Sequence, residues 1–195
     1  DFAAKVDKWL VETRTEMFGS APESFLIKSR CERFANGEGK GIIDETVRGK
    51  DLFILTDVGN YNVTYPMMGM TNHMSPDDHY QDLKRIIYAA SGRAKKIHVI
   101  MPLLYNGRQH KRMVRESLDS AEALRELANL GVENVITFDA HDARVQNAIP
   151  HMGFENGAAY YQFIKAMIRE VPDIKFDKEN MVIVSPDEGA IHRNL

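Results

Sequence analysis

Residues 135–150 read VITFDAHDARVQNAIP, an apolar run that breaks into Asp139, His141 and Asp142. The run from Val135 to Phe138 suits a buried strand. The three polar side chains then fall beyond the carboxyl end of that strand, where an open α/β sheet presents its ligands. Carboxylate oxygens beside an imidazole are donors for a divalent cation that a phosphate-bearing substrate would share. The competing reading is a strand that simply ends in polar residues.

Working outward, similar apolar runs recur on both sides. KKIHVIM (95–101) is a buried strand closed by Pro102, DLFILTD (51–57) another, SFLIKS (24–29) an earlier one and NMVIVS (180–185) the last. Between them lie helical patterns. Phe2, Val6, Leu10 and Met17 recur at helical spacing, and Ser75, Pro76, Asp77 and Asp78 form a helix start ahead of the stripe Leu83, Ile86, Ile87 and Ala90. A third helix is predicted over about 117–130, with Leu124, Leu127 and Leu130 and a stop at Gly131, and a fourth over about 158–170. RFANGEGKGIIDETVRGK (33–50) is punctuated by glycine and predicts a hairpin or exposed loop. Strands alternating with helices imply a largely parallel, doubly wound α/β sheet in one domain spanning 1–195.

Composition narrows the partners. With 28 acidic against 25 basic side chains the chain lacks the broad positive surface that nucleic acid demands, while small anionic ligands fit. One cysteine, Cys31, leaves no intrachain disulfide and no cysteine-rich zinc site, in keeping with a reducing, cytoplasmic compartment. KSRCERF offers Cys31 no base partner, so a structural thiol is expected over a catalytic one. The longest apolar runs are too short to cross a bilayer. The chain opens on Asp1 and closes at Leu195, a few residues after a motif expected to start a helix, so a fragment or a processed chain is expected.

The unusual polar residues follow successive strands: Arg108 and Gln109 one, Asp139 and His141 the next, Asp187 the last. They are expected to converge on one sheet edge.

RFANGE (33–38), VRGKDLFIL (47–55), GRQHKR (107–112), VENVITFDAHDARVQ (132–146) and VSPDEGA (184–190), in this order and spacing, resemble the amino-terminal half of ribose-phosphate pyrophosphokinase, or phosphoribosyl pyrophosphate (PRPP) synthetase. The resemblance runs from about Arg33 to Gly189, interrupted by a longer segment around 60–79, and implies the type I phosphoribosyltransferase-like fold. It further implies transfer of the β,γ-diphosphoryl group of ATP to the anomeric hydroxyl of ribose 5-phosphate, giving PRPP and AMP, with Mg2+ required. By resemblance, His141 and Asp187 hold the magnesium directly or through water, and Asp139 is a further candidate that orients His141 or a bound water. The same resemblance gives ATP to Arg108 and Gln109 and to the RFANGE loop. In that loop Phe34 would stack on adenine, Asn36 and Glu38 would read its polar edge or the ribose, and Gly37 would allow close backbone approach. Because the family's loop reaches into a neighbouring subunit's site, a homo-oligomer is implied.

There are departures. Asn36 and His110 stand where the family has Asp, and Glu188 and Ala190 lie in a less glycine-rich motif. The segment GNYNVTYPMMGMTNHMSPDDHY (59–80) reads as an oligomer contact or long loop, with a metal or nucleotide role for His73 or His79 the lesser reading. The family's loop with catalytic lysine and arginine and its glycine-rich PRPP loop have no counterpart in this sequence, so this portion alone is expected not to complete the transfer. Two other classes stay open: a non-catalytic regulatory homologue that assembles with active subunits, and an unrelated metal-dependent phosphohydrolase.

Overall fold

The computed structural model describes residues 2–185 and 188, in two compact units, 1–157 and 158–195. The first unit opens with helix α1 (Phe2–Phe18) and the antiparallel hairpin of β1 (Ser29–Arg33) and β2 (Gly39–Ile43). Strand β3 (Asp51–Leu55) leads to a second antiparallel hairpin, β4 (Thr64–Met67) and β5 (Met70–His73), and to helix α2 (Pro76–Ala90). Then come β6 (Lys96–Ile100), α3 (Asp119–Asn129), β7 (Asn134–Phe138), a short 3-10 helix (Ala143–Ala148) and β8 (Gly153–Gly157).

Four of these strands form a wholly parallel sheet in the order β3-β6-β7-β8, with Val99 opposite Val135 and Val135 opposite Phe154. The expected α/β class with a parallel sheet is therefore what the chain adopts. Ile97, Val99, Val135 and Thr137 alternate as buried positions along β6 and β7. Ile97, Val99 and Val135 meet Leu83 and Ile87 of α2 and Leu124 and Leu127 of α3 in one cluster. Each fully buried aliphatic side chain there contributes roughly 1.5–3 kcal/mol.

Helix α2 forms as its sequence dictates. The Ser75 hydroxyl accepts from the Asp78 amide at 3.1 Å while the Asp78 carboxylate accepts from the Ser75 amide at 2.9 Å, a complete capping box ahead of Pro76. Helix α3 is slightly shorter than predicted, ending at Asn129 before Gly131 with φ +83°.

SFLIKS makes no strand: pairing begins only at Ser29, because the tight 34–38 turn sets the hairpin register and leaves Phe25 and Leu26 exposed. DLFILTD is an edge strand rather than a buried one, with Phe53 more than half exposed. The segment around 60–79 is not a long loop but contains β4 and β5, closed by Met68 and Gly69, both at positive φ. GFENG (153–157) is an additional strand, β8.

The second unit carries helix α4 (Tyr160–Glu170). The predicted strand over 180–185 does not form among the described residues. Val182, Ile183 and Val184 stay largely exposed, and the described residues of their own unit offer no strand to complete their backbone hydrogen bonds.

Candidate functional site

The exits of β6 and β7 run side by side. Beyond the strand proper, the Met101 amide donates to the Ile136 carbonyl at 2.8 Å and the Phe138 amide to the Pro102 carbonyl at 3.3 Å. Pairing thus continues to the last residues before each loop, and the two loops leave the sheet as neighbours.

The first loop is a tight turn. The Gly107 amide donates to the Leu104 carbonyl at 3.1 Å and the Gln109 amide to that of Asn106 at 2.8 Å, with Asn106 at φ +52°. Arg108 and Gln109 are consequently presented to solvent. The second loop turns sharply at Asp139, φ +50°, a conformation that aspartate tolerates better than most residues. Its backbone is pinned to β8: the Asp139 amide donates to the Gly157 carbonyl and the Ala140 amide to Asn156 Oδ1, both at 2.9 Å. His141 is left exposed at the tip.

Asp142 has a different task. It caps the 3-10 helix by accepting from the Arg144 amide at 2.9 Å, and both its oxygens accept from the Arg144 guanidinium, Nε lying at 2.9 and 3.0 Å. The Arg144 side chain, then its amide, holds this carboxyl well below the usual carboxylate range. With its lone pairs so occupied, Asp142 locks the loop and is a poor ligand for a cation.

Sequence reasoning noted His110 only as a departure, yet it stands between the loops with 13% of its side chain exposed. Its Nδ1 lies 3.2 Å from the Arg108 carbonyl, its Nε2 3.6 Å from Asp142 Oδ2, and its ring 5.1 Å from that of His141, tilted by 55°. No spacing rule could have found this, because 32 positions separate the imidazole from the carboxylate it faces.

Of the expected magnesium ligands, Asp139 and His141 share the loop after β7, and Asp187 lies outside the described residues. Among the described residues no three His, Cys, Asp or Glu side chains stand close enough together to enclose a metal ion. Asp139 and His141 alone would give a divalent cation two ligands, the others having to come from water or from phosphate oxygens.

The RFANGE loop is the turn of the first hairpin and a separate part of the unit. The Phe34 amide donates to the Glu38 carbonyl at 2.8 Å, the Gly37 amide to the Phe34 carbonyl at 2.9 Å, and Asn36 Nδ2 to Glu38 Oε2 at 2.9 Å. Phe34, Asn36 and Glu38 point outward, Phe34 being 57% exposed. Gly37 sits at φ +91°, and a Cβ there would lie 2.6 Å from Met67 Sδ of β4, so the second hairpin buttresses the loop. Within this loop the residue that sequence reasoning missed is Arg33. Its guanidinium makes two 2.8 Å bonds to Asp82 of α2 and lies 4.9 Å over the Tyr65 ring, with only 5% of the side chain exposed. His73 and His79 instead serve the fold, bonding the carbonyls of Tyr61 and Asn60 at 2.8 Å.

Comparison with known proteins places this geometry. Residues 2–131 match the model of the N-terminal domain of ribose phosphate pyrophosphokinase. A ribose-phosphate pyrophosphokinase of Maricaulis maris is 29% identical over 170 residues, covering 86% of this chain and 48% of that protein. Ribose-phosphate pyrophosphokinase 1 of Schizosaccharomyces pombe is 30% identical over 187 residues, covering 90% and 41%. The chain thus spans about half the length of the curated relatives it matches. A crystal structure of phosphoribosylpyrophosphate synthetase from Mycobacterium smegmatis superposes with a TM-score of 0.67 at 23% identity, over 96% of this chain and 55% of that one, and shares the fold. The parallel sheet agrees with this, and the chain belongs to the ribose-phosphate pyrophosphokinase family, whose N-terminal domain it matches over residues 2–131.

Proposed function

We propose that this chain supplies the ATP- and magnesium-binding portion of a ribose-phosphate diphosphokinase. The observation that carries the reading is the continued pairing of β6 and β7, which brings Arg108 and Gln109 beside the loop of Asp139 and His141 in a chain of this family. Arg108 and Gln109 contact the nucleotide, while His141 and Asp139 hold Mg2+. The cation offsets charge on the polyphosphate. In the complete reaction the anomeric hydroxyl of ribose 5-phosphate loses its proton and its oxygen bonds to the β-phosphorus of ATP. The bond from that phosphorus to the oxygen bridging to the α-phosphate breaks, and AMP leaves. The outward-facing Phe34, Asn36 and Glu38 form an adenine contact offered to a neighbouring subunit, so the working state is a homo-oligomer.

Calorimetric titration of this chain with ATP, with and without magnesium, tests the binding half of the reading. Magnesium-dependent binding that His141→Ala weakens by about tenfold, about 1.4 kcal/mol, is expected; ATP binding indifferent to magnesium overturns it. In the same preparation, AMP release from ATP is expected to be absent with or without ribose 5-phosphate. Ribose-dependent AMP release by this chain alone would refute the division of labour.

A further inference from the structure

We propose that His110 is a positioning residue that holds the 104–110 turn and the 139–142 loop in one register, so that a nucleotide on the first and a cation on the second favour each other. This rests on the reading of the two loops given above.

Three contacts converge on one rigid ring. Nδ1 lies 3.2 Å from the Arg108 carbonyl, a hydrogen bond that requires the proton on Nδ1 and so fixes the backbone of the residue assigned to the nucleotide. The ring face meets His141, the residue assigned to the cation, at 5.1 Å between centroids. Nε2 faces Asp142 at 3.6 Å, and that carboxylate is held from its other side by Arg144 and by the cap on the 3-10 helix. His110 is thus packed against groups of both loops. Because only 13% of its side chain is exposed, it cannot swing away without both loops shifting. The contact to Arg108 is local to the turn, whereas those to Asp142 and His141 cross to the other loop.

The consequence is energetic coupling, and coupling between two sites is reciprocal. Ordering Arg108 around a nucleotide would order the loop of His141, and the reverse.

The test is the strengthening of ATP binding by magnesium, measured by calorimetry on this chain, on His141→Ala and on variants of His110. In the unaltered chain magnesium strengthens ATP binding. His110→Ala is expected to lower that enhancement by about fivefold or more, the range typical of coupled sites. His110→Asn, whose side-chain amide retains a donor for the Arg108 carbonyl, is expected to recover part of it. Combined with His141→Ala, His110→Ala is expected to cost no further enhancement, a non-additivity that general loosening of the fold would not produce. Should the alanine variant melt below the assay temperature, His110→Phe takes its place, since it keeps ring packing but has no donor. Enhancement at the original level in the alanine or phenylalanine variant overturns the role of His110 and leaves the reading of the loops intact. Absence of any magnesium-dependent ATP binding in the unaltered chain overturns that reading, and the role with it.

Discussion

Cys31 shows how a single residue's environment decides between chemistries that its identity leaves open. From β1, its Sγ reaches the Asp82 carbonyl of α2 at 3.7 Å. Burial first, and the nearby Asp82 carboxylate second, push the thiol up to about 11. A thiol so placed is almost wholly protonated at neutral pH and is a weak nucleophile. We predict that iodoacetamide modifies Cys31 at least about tenfold more slowly in the folded chain than in urea at pH 8, because an unfolded thiol titrates near 8.5. The linkage has a definite sign. The folded state keeps the proton longer than the unfolded one, so stability is unaffected below about pH 8.5 and falls as pH climbs from there toward about 11. Equal alkylation rates in the two states would show that burial does not suppress the thiol. The absence of a base partner in KSRCERF was legible in the sequence; the carbonyl across 51 positions was not.

Helix α2 was readable because Ser75, Pro76, Asp77 and Asp78 act locally, within one turn of the residues they order. Strand β8 was not, since GFENG offers one apolar side chain and what makes it a strand is pairing with β7. The first hairpin stands between these cases: its turn was legible, its anchorage was not. Arg33 joins β1 to α2 through Asp82, which also accepts from Arg85 at 2.7 Å, and β2 lies so close to α2 that a Cβ on Gly41 would stand 2.6 Å from the Arg85 backbone. Arg33→Ala leaves Asp82 a single cation in a site only 16% exposed, and urea denaturation should show a loss of about 3 kcal/mol, the lower end for a broken buried pair. Arg33→Lys should fall between, keeping the charge but losing the two-pronged bond and the stack over Tyr65. A change below about 0.5 kcal/mol for the alanine variant would assign the hairpin's anchorage to backbone packing alone.

At the scale of the molecule, the fold class followed from alternation of strand and helix patterns, which is a property of the chain's order and survives errors in single elements. The candidate site was half legible for the same reason. Strand order put Arg108, Gln109, Asp139 and His141 on one edge, whereas the tie through His110 depends on distances no periodicity encodes. A further consequence concerns where stability resides. Every fully buried apolar side chain among the described residues lies between Val47 and Ile149, inside the unit 1–157. The second unit's helix α4 buries none, and Phe163, Ile168, Val182 and Val184 are more than half exposed. An isolated helix of this length is marginal in water. Truncation after Gly157 should therefore leave a cooperative melt within about 5 °C of the longer chain, because the buried apolar side chains that stabilise the fold are retained. Loss of a sharp transition would mean that residues 158–195 contribute to the core and that the two units fold as one.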